Sequence, residues 1–185
     1  MSDGAEVVVL RDLVSAVEVS AFADALGATL TEDTTRGWFV LATRAWMTPD
    51  DDQIVYIEDH TSDVRWIQTT GPARARIATK VREQLPHYDT EELLSAARGS
   101  EPPSDCIQIL SRLVPYRPDD FDPRFFAVWE RMLAHPLKAV RRAAIRTAYG
   151  CRWPEMRALA ETRLDADREL AAQLEQLLSL FDEHG

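Results

Sequence analysis

One stretch, Phe125 to Gly150, reading FFAVWERMLAHPLKAVRRAAIRTAYG, limits the possible folds more than any other. It describes a helix, a turn marked by Pro136, and a second helix whose small positions Ala143, Ala144 and Ala148 suit close packing against neighbours. Such a helix pair cannot bury its apolar stripes alone, so further helices must stack on it. The expected product is a layered, surface-rich helical structure of the sort that binds other macromolecules.

Upstream the pattern changes. Val7 to Leu10 is a short β-prone run, and Val14 to Leu26 has helical apolar spacing closed by Gly27. Trp38 to Trp46, Ile54 to Ile57 and Val64 to Thr69 are rich in β-branched and aromatic residues and predict strands, with Ala28 to Glu32 a fourth. Short polar links, MTPDDD and EDHTSD, join them as antiparallel hairpins do. Pro72 is placed to open a helix whose stripe is Ile77, Ala78, Val81 and Leu85. Its other face carries Arg74, Arg76, Lys80 and Arg82, for solvent or for the acidic loops. From Pro86 onward nearly everything reads as helix, with Thr90 and Ser104 as N-caps and Pro115, Pro118 and Pro123 marking a loop. The predicted class is α+β: a small N-terminal antiparallel sheet with helices over 1–85, then helical hairpins over 86–185.

The segment after Asp122 aligns with itself. Leu133 matches Leu164 at an offset of 31, and Val140, Ala144 and Ala148 match Leu170, Leu174 and Leu178 at an offset of 30. The turns His135-Pro136-Leu137 and Asp165-Ala166-Asp167 correspond. On Pro136, Val140-Arg141, Ala143-Ala144 and Ala148-x-Gly150, this region resembles the HEAT-repeat family, best over 125–150 and more weakly over about 90–181. The resemblance implies a protein-binding solenoid with no catalytic residue. It also implies that Arg141 packs its stem and pairs with an acidic neighbour, while Ala171 replaces that arginine in the last unit.

The net charge of −10 is uneven, with 17 acidic against 9 basic residues in 1–100 and 14 against 12 in the remainder. General nucleic-acid binding by the whole chain is disfavoured, because phosphate needs a basic surface. No apolar run reaches the roughly 20 residues of a membrane span, and the acidic start is unlike a secretory signal, so a cytoplasmic protein is expected. Cys106 and Cys151 are expected as buried thiols.

No constellation for catalysis stands out. His60, His87, His135 and His184 occur in unrelated contexts, and no CxxC pair, GxxxxGK[ST] or GxGxxG spacing is present. Thr69-Thr70-Gly71, a strand-to-helix turn, could offer free N–H groups to a phosphate with help from Arg74 or Arg76, but with a single Gly the composition is that of an ordinary turn. Glu58-Asp59-His60 with Asp63, and Asp50-Asp51-Asp52, could gather a cation, but exposed turns favour the same residues. No cofactor is expected. The leading expectation is a non-catalytic protein-binding module, in one version an immunity-type inhibitor. It would cover a basic toxin or nuclease with Asp50, Asp51, Asp52, Glu58, Asp59 and Asp63. The alternatives are a nucleic-acid reader using Lys138, Arg142 and Arg146, which share a helix face, and an enzyme with a site in a cleft between the two parts. Internal salt bridging is the simpler expectation for that basic face.

Overall fold

The computed structural model describes residues 4–34, 41–99 and 102–184, and the chain divides into two compact units after Asp89. The first unit holds β1 (Glu6–Leu10), α1 (Ala16–Ala25), β2 (Thr29–Thr34), β3 (Ala42–Met47), β4 (Gln53–Asp59), β5 (Val64–Thr70) and α2 (Arg74–Gln84). Its five strands form one antiparallel sheet in the order β1-β5-β4-β3-β2. The meander β2 to β5 is therefore accompanied by a fifth strand, β1, which pairs with β5. Strand β3 starts at Ala42; Trp38 to Val40, expected to open it, lie outside the described residues.

Helices α1 and α2 cover one face of the sheet. Val19, Phe22 and Ala23 of α1 and Ile77, Ala78 and Val81 of α2 share a core with Val8, Leu10, Trp46, Ile54, Tyr56 and Ile67. The period-2 alternation of the strands aims these side chains at the helical stripes. Ser15 caps α1 in a reciprocal capping box with Glu18. At the outer edge, β2 is exposed along its length, carries Glu32 and Asp33 and has a bulge between Leu30 and Glu32, features that discourage pairing with a further strand.

The first unit extends four residues past the expected boundary at 85. Tyr88 N–H donates to Val9 O at 2.8 Å, Arg11 N–H donates to Pro86 O at 2.9 Å, and the Arg11 guanidinium lies 4.1 Å over the Tyr88 ring. These bonds fasten 86–89 to the end of β1.

The second unit contains α3 (Thr90–Gly99), α4 (Pro103–Leu113), α5 (Pro123–Leu133), α6 (Lys138–Ala148), α7 (Pro154–Ala166) and α8 (Ala171–His184). They form three antiparallel hairpins, α3 with α4, α5 with α6 and α7 with α8, and successive hairpins touch through α3–α5–α7 and through α4–α6–α8. Val140, Ala144 and Ala148 are wholly buried, as are Leu170 and Leu174. Leu177, not Leu178, completes the last stripe, at the ordinary helical spacing of three to four from Leu174. One cap differs from expectation. Helix α4 begins at Pro103 without a side-chain cap, and the Ser104 hydroxyl bonds to Asp105 instead. Asp122 caps α5 by accepting from Arg124 N–H at 2.8 Å.

Candidate functional site

The acidic hairpins were one candidate surface. They sit at opposite ends of β4, whose seven residues separate them by roughly 20 Å. Asp52 is not at the surface: it is 1% exposed and accepts from Ala73 N–H at 2.6 Å and, through its own N–H, donates to Thr48 Oγ1 at 3.1 Å. Its carboxylate also packs on Gly71, where a Cβ would lie 2.6 Å from Asp52 Oδ1 and where the φ of +103° itself favours glycine. The anion at the strand-to-helix turn after Thr70 is thus the protein's own Asp52. Helix α2 starts at Arg74 rather than at Pro72.

The remaining acids of the two loops are engaged locally. Asp50 meets Arg76 at 3.5 Å in an exposed pair, and Asp51 takes a positive φ of 62° at the turn. Glu58 and Asp63 both hold Arg65, at 2.8 and 3.1 Å, and Arg65 also donates to Asp12 O. Asp59 accepts from Thr61 N–H and from the Ser62 hydroxyl, closing its own turn. Tyr56, buried beside Glu58, has its phenol pushed up to about 12 by burial and then by the Glu58 charge. His60 lies 3.9 Å from Glu58, and among the described residues no three His, Cys, Asp or Glu side chains converge as metal ligands would.

The α6 face is different. Its inner side, Val140, Ala143, Ala144, Ile145, Thr147 and Ala148, is buried, and the Thr147 hydroxyl accepts from Trp129 Nε1 at 3.2 Å. The turn before it is fixed by Leu137 N–H donating to His135 Nδ1 and by Arg141, which donates to His135 O and Pro136 O. Arg141 also reaches Asp167 at 2.5 Å and Glu169 at 3.1 Å, the acidic neighbour that the resemblance implied.

On the outer side Lys138, Arg142 and Arg146 are exposed at a spacing of four, a ridge about 12 Å long. None of them forms an ion pair among the described residues. The expected internal salt bridging occurs elsewhere: Glu91 and Asp122 hold Arg124, and Glu161 and Asp182 hold Arg157. No acid lies in the first turn of α6, and Lys138 stands where the helix dipole disfavours a cation. Internal stability does not account for this placement. Leu137, 48% exposed, adds an apolar contact at the head of the ridge.

Trp46, Trp129 and Trp153 are buried, so they serve the cores, and Trp38 lies outside the described residues. Cys106 and Cys151 are buried free thiols. Sequence reasoning missed Arg117, which is half-buried and donates to Thr147 O at 2.9 Å. No local signal marks it, because its burial depends on two loops meeting.

Comparison of the chain with family models, with curated proteins and with solved structures finds no match.

Proposed function

We propose that this chain is a non-catalytic protein-binding module whose helical unit holds an acidic segment of a partner protein on the Lys138, Arg142 and Arg146 ridge. The observation that carries the proposal is a row of three exposed cations at helical spacing that form no ion pair among the described residues. Three stacked hairpins supply a rigid platform for such a ridge, and the resemblance of 125–150 to a HEAT-repeat helix pair belongs to the same reading. The partner's charge is then opposite to that expected from the acidic hairpins, since Asp52 is buried and Glu58, Asp59 and Asp63 have internal partners.

A protein segment fits better than nucleic acid. Three cations make a short footprint, Leu137 offers apolar contact, and the net charge of −10 opposes a long polyanion. The triple variant K138E/R142E/R146E tests the proposal, and because all three side chains are exposed it leaves the core untouched. Affinity capture from the native cell should yield an acidic protein with the wild-type chain, lose it with the variant, and release it as salt rises. Identical captures by both chains would remove the ridge as the contact surface. Binding of duplex DNA or RNA by the wild type alone, with a steep salt dependence, would change the partner class.

A further inference from the structure

Two cavities meet at the turn between α6 and α7. One of about 380 Å³ is walled by Cys151, Pro154, Leu177, Leu180 and Phe181, and the other, of about 530 Å³, by Arg117, Pro118 and Asp119. Gly150 and Arg152 line both, so the apolar chamber and the cationic one adjoin. Gly150 has a φ of +78°, and a side chain there would project toward the Arg117 guanidinium, 3.5 Å from its Nη2. The partition between the chambers is therefore bare backbone on the Arg117 side.

We propose that the two chambers form one binding site for a small amphiphilic monocarboxylate. Its apolar body lies along Leu177, Leu180 and Phe181, and its carboxylate sits between Arg117 and Arg152. Each volume falls within the roughly 300–1,000 Å³ of small-molecule sites, and an apolar chamber with few convergent polar groups is their usual make-up.

The charges argue for an anion. Arg117 is half-buried, gives one hydrogen bond to the Thr147 carbonyl and forms no ion pair among the described residues. Burial lowers its pKa, as expected of a cation short of compensating charge. Arg152 is exposed at the shared boundary and likewise has no ion-pair partner among the described residues. Asp119, on the rim, is the carboxylate that faces Arg117, and two guanidinium groups outnumber it. Arg157, on the apolar side, is already neutralised by Glu161 at 3.1 Å and Asp182 at 2.8 Å, which leaves that chamber suited to hydrocarbon. The Cys151 thiol is pushed up by burial and stays neutral against an apolar chain. A carboxylate can accept from two guanidinium groups at once, and charge-assisted bonds of this kind are the strong ones.

The site is independent of the α6 ridge, and its test is separate. The full isotope-labelled chain is titrated with decanoate, decan-1-ol and acetate while backbone amide resonances are followed. Decanoate should give saturable shifts at Gly150, Cys151, Arg152 and Leu177 to Phe181, with decan-1-ol at least about tenfold weaker and acetate giving no saturation. Arg152→Gln, which removes an exposed side chain and leaves the fold intact, should weaken decanoate about tenfold. Phe181→Ala should weaken decanoate and decan-1-ol alike. Absence of saturable shifts at these amides, equal binding of the acid and the alcohol, or an unchanged affinity in Arg152→Gln would overturn the proposal.

Discussion

Arg141 and Asp167 join two helical hairpins through a guanidinium–carboxylate contact of 2.5 Å, with both side chains largely withdrawn from solvent. Arg141 also donates to the carbonyls of His135 and Pro136, so one side chain fastens the α5–α6 turn to the α7–α8 turn. Its guanidinium is held further into the charged form by the Asp167 hydrogen bond. A double-mutant cycle with Arg141→Ala and Asp167→Ala should give a coupling of about 2 kcal/mol, between the values for exposed and buried pairs. Urea unfolding of the four proteins measures it. A coupling near zero would mean that apolar packing alone holds the hairpins together.

Asp52 and Asp50 share one acidic turn and should behave oppositely. Asp52→Ala leaves the partly buried Ala73 N–H without its acceptor and should cost about 1–3 kcal/mol. Asp50→Ala removes only an exposed pair and should change stability by less than about 1 kcal/mol. Equal effects in thermal unfolding would contradict the burial of Asp52.

Asp122 makes α5 sensitive to acid. Its carboxyl lies below the ordinary 3.8 because Arg124 donates to it from both side chain and backbone. A depressed folded value means that the stabilisation is complete above about that ordinary pH and is lost as pH falls through the lowered one. Asp122→Ala should cost about 1 kcal/mol at neutral pH, and the difference from wild type should shrink on acidification. A gap that stays constant down to strong acid would refute the assignment.

Tyr56 provides the alkaline counterpart. With its phenol raised to about 12, the folded state holds the proton more tightly than the unfolded chain, whose value is near 10. Its contribution is therefore full below about pH 10 and is lost as pH rises toward 12. Ultraviolet titration should show late ionisation, and Tyr56→Phe should delete that component. Ionisation of every tyrosine near 10 would exclude the buried setting beside Glu58.

The periodicities of the chain were enough to place most elements. Alternation over Ile54 to Ile57 and Val64 to Thr69, and the stripes Ile77-Ala78-Val81 and Val140-Ala144-Ala148, reflect local geometry repeated every two or 3.6 residues, so they are legible without a fold. The exposed spacing of Lys138, Arg142 and Arg146 was legible for the same reason. Tertiary structure alone decided which charges found partners. Asp50 and Asp52 are two residues apart and chemically identical, yet one makes only an exposed pair with Arg76 and the other is buried on the N–H of Ala73, because only the folded sheet brings the α2 turn onto that hairpin. Arg117 and Arg152, 35 positions apart in the chain, border one cavity for a similar reason. Pairing energy depends on distance and solvent exposure, and neither quantity is a property of a residue's neighbours in sequence.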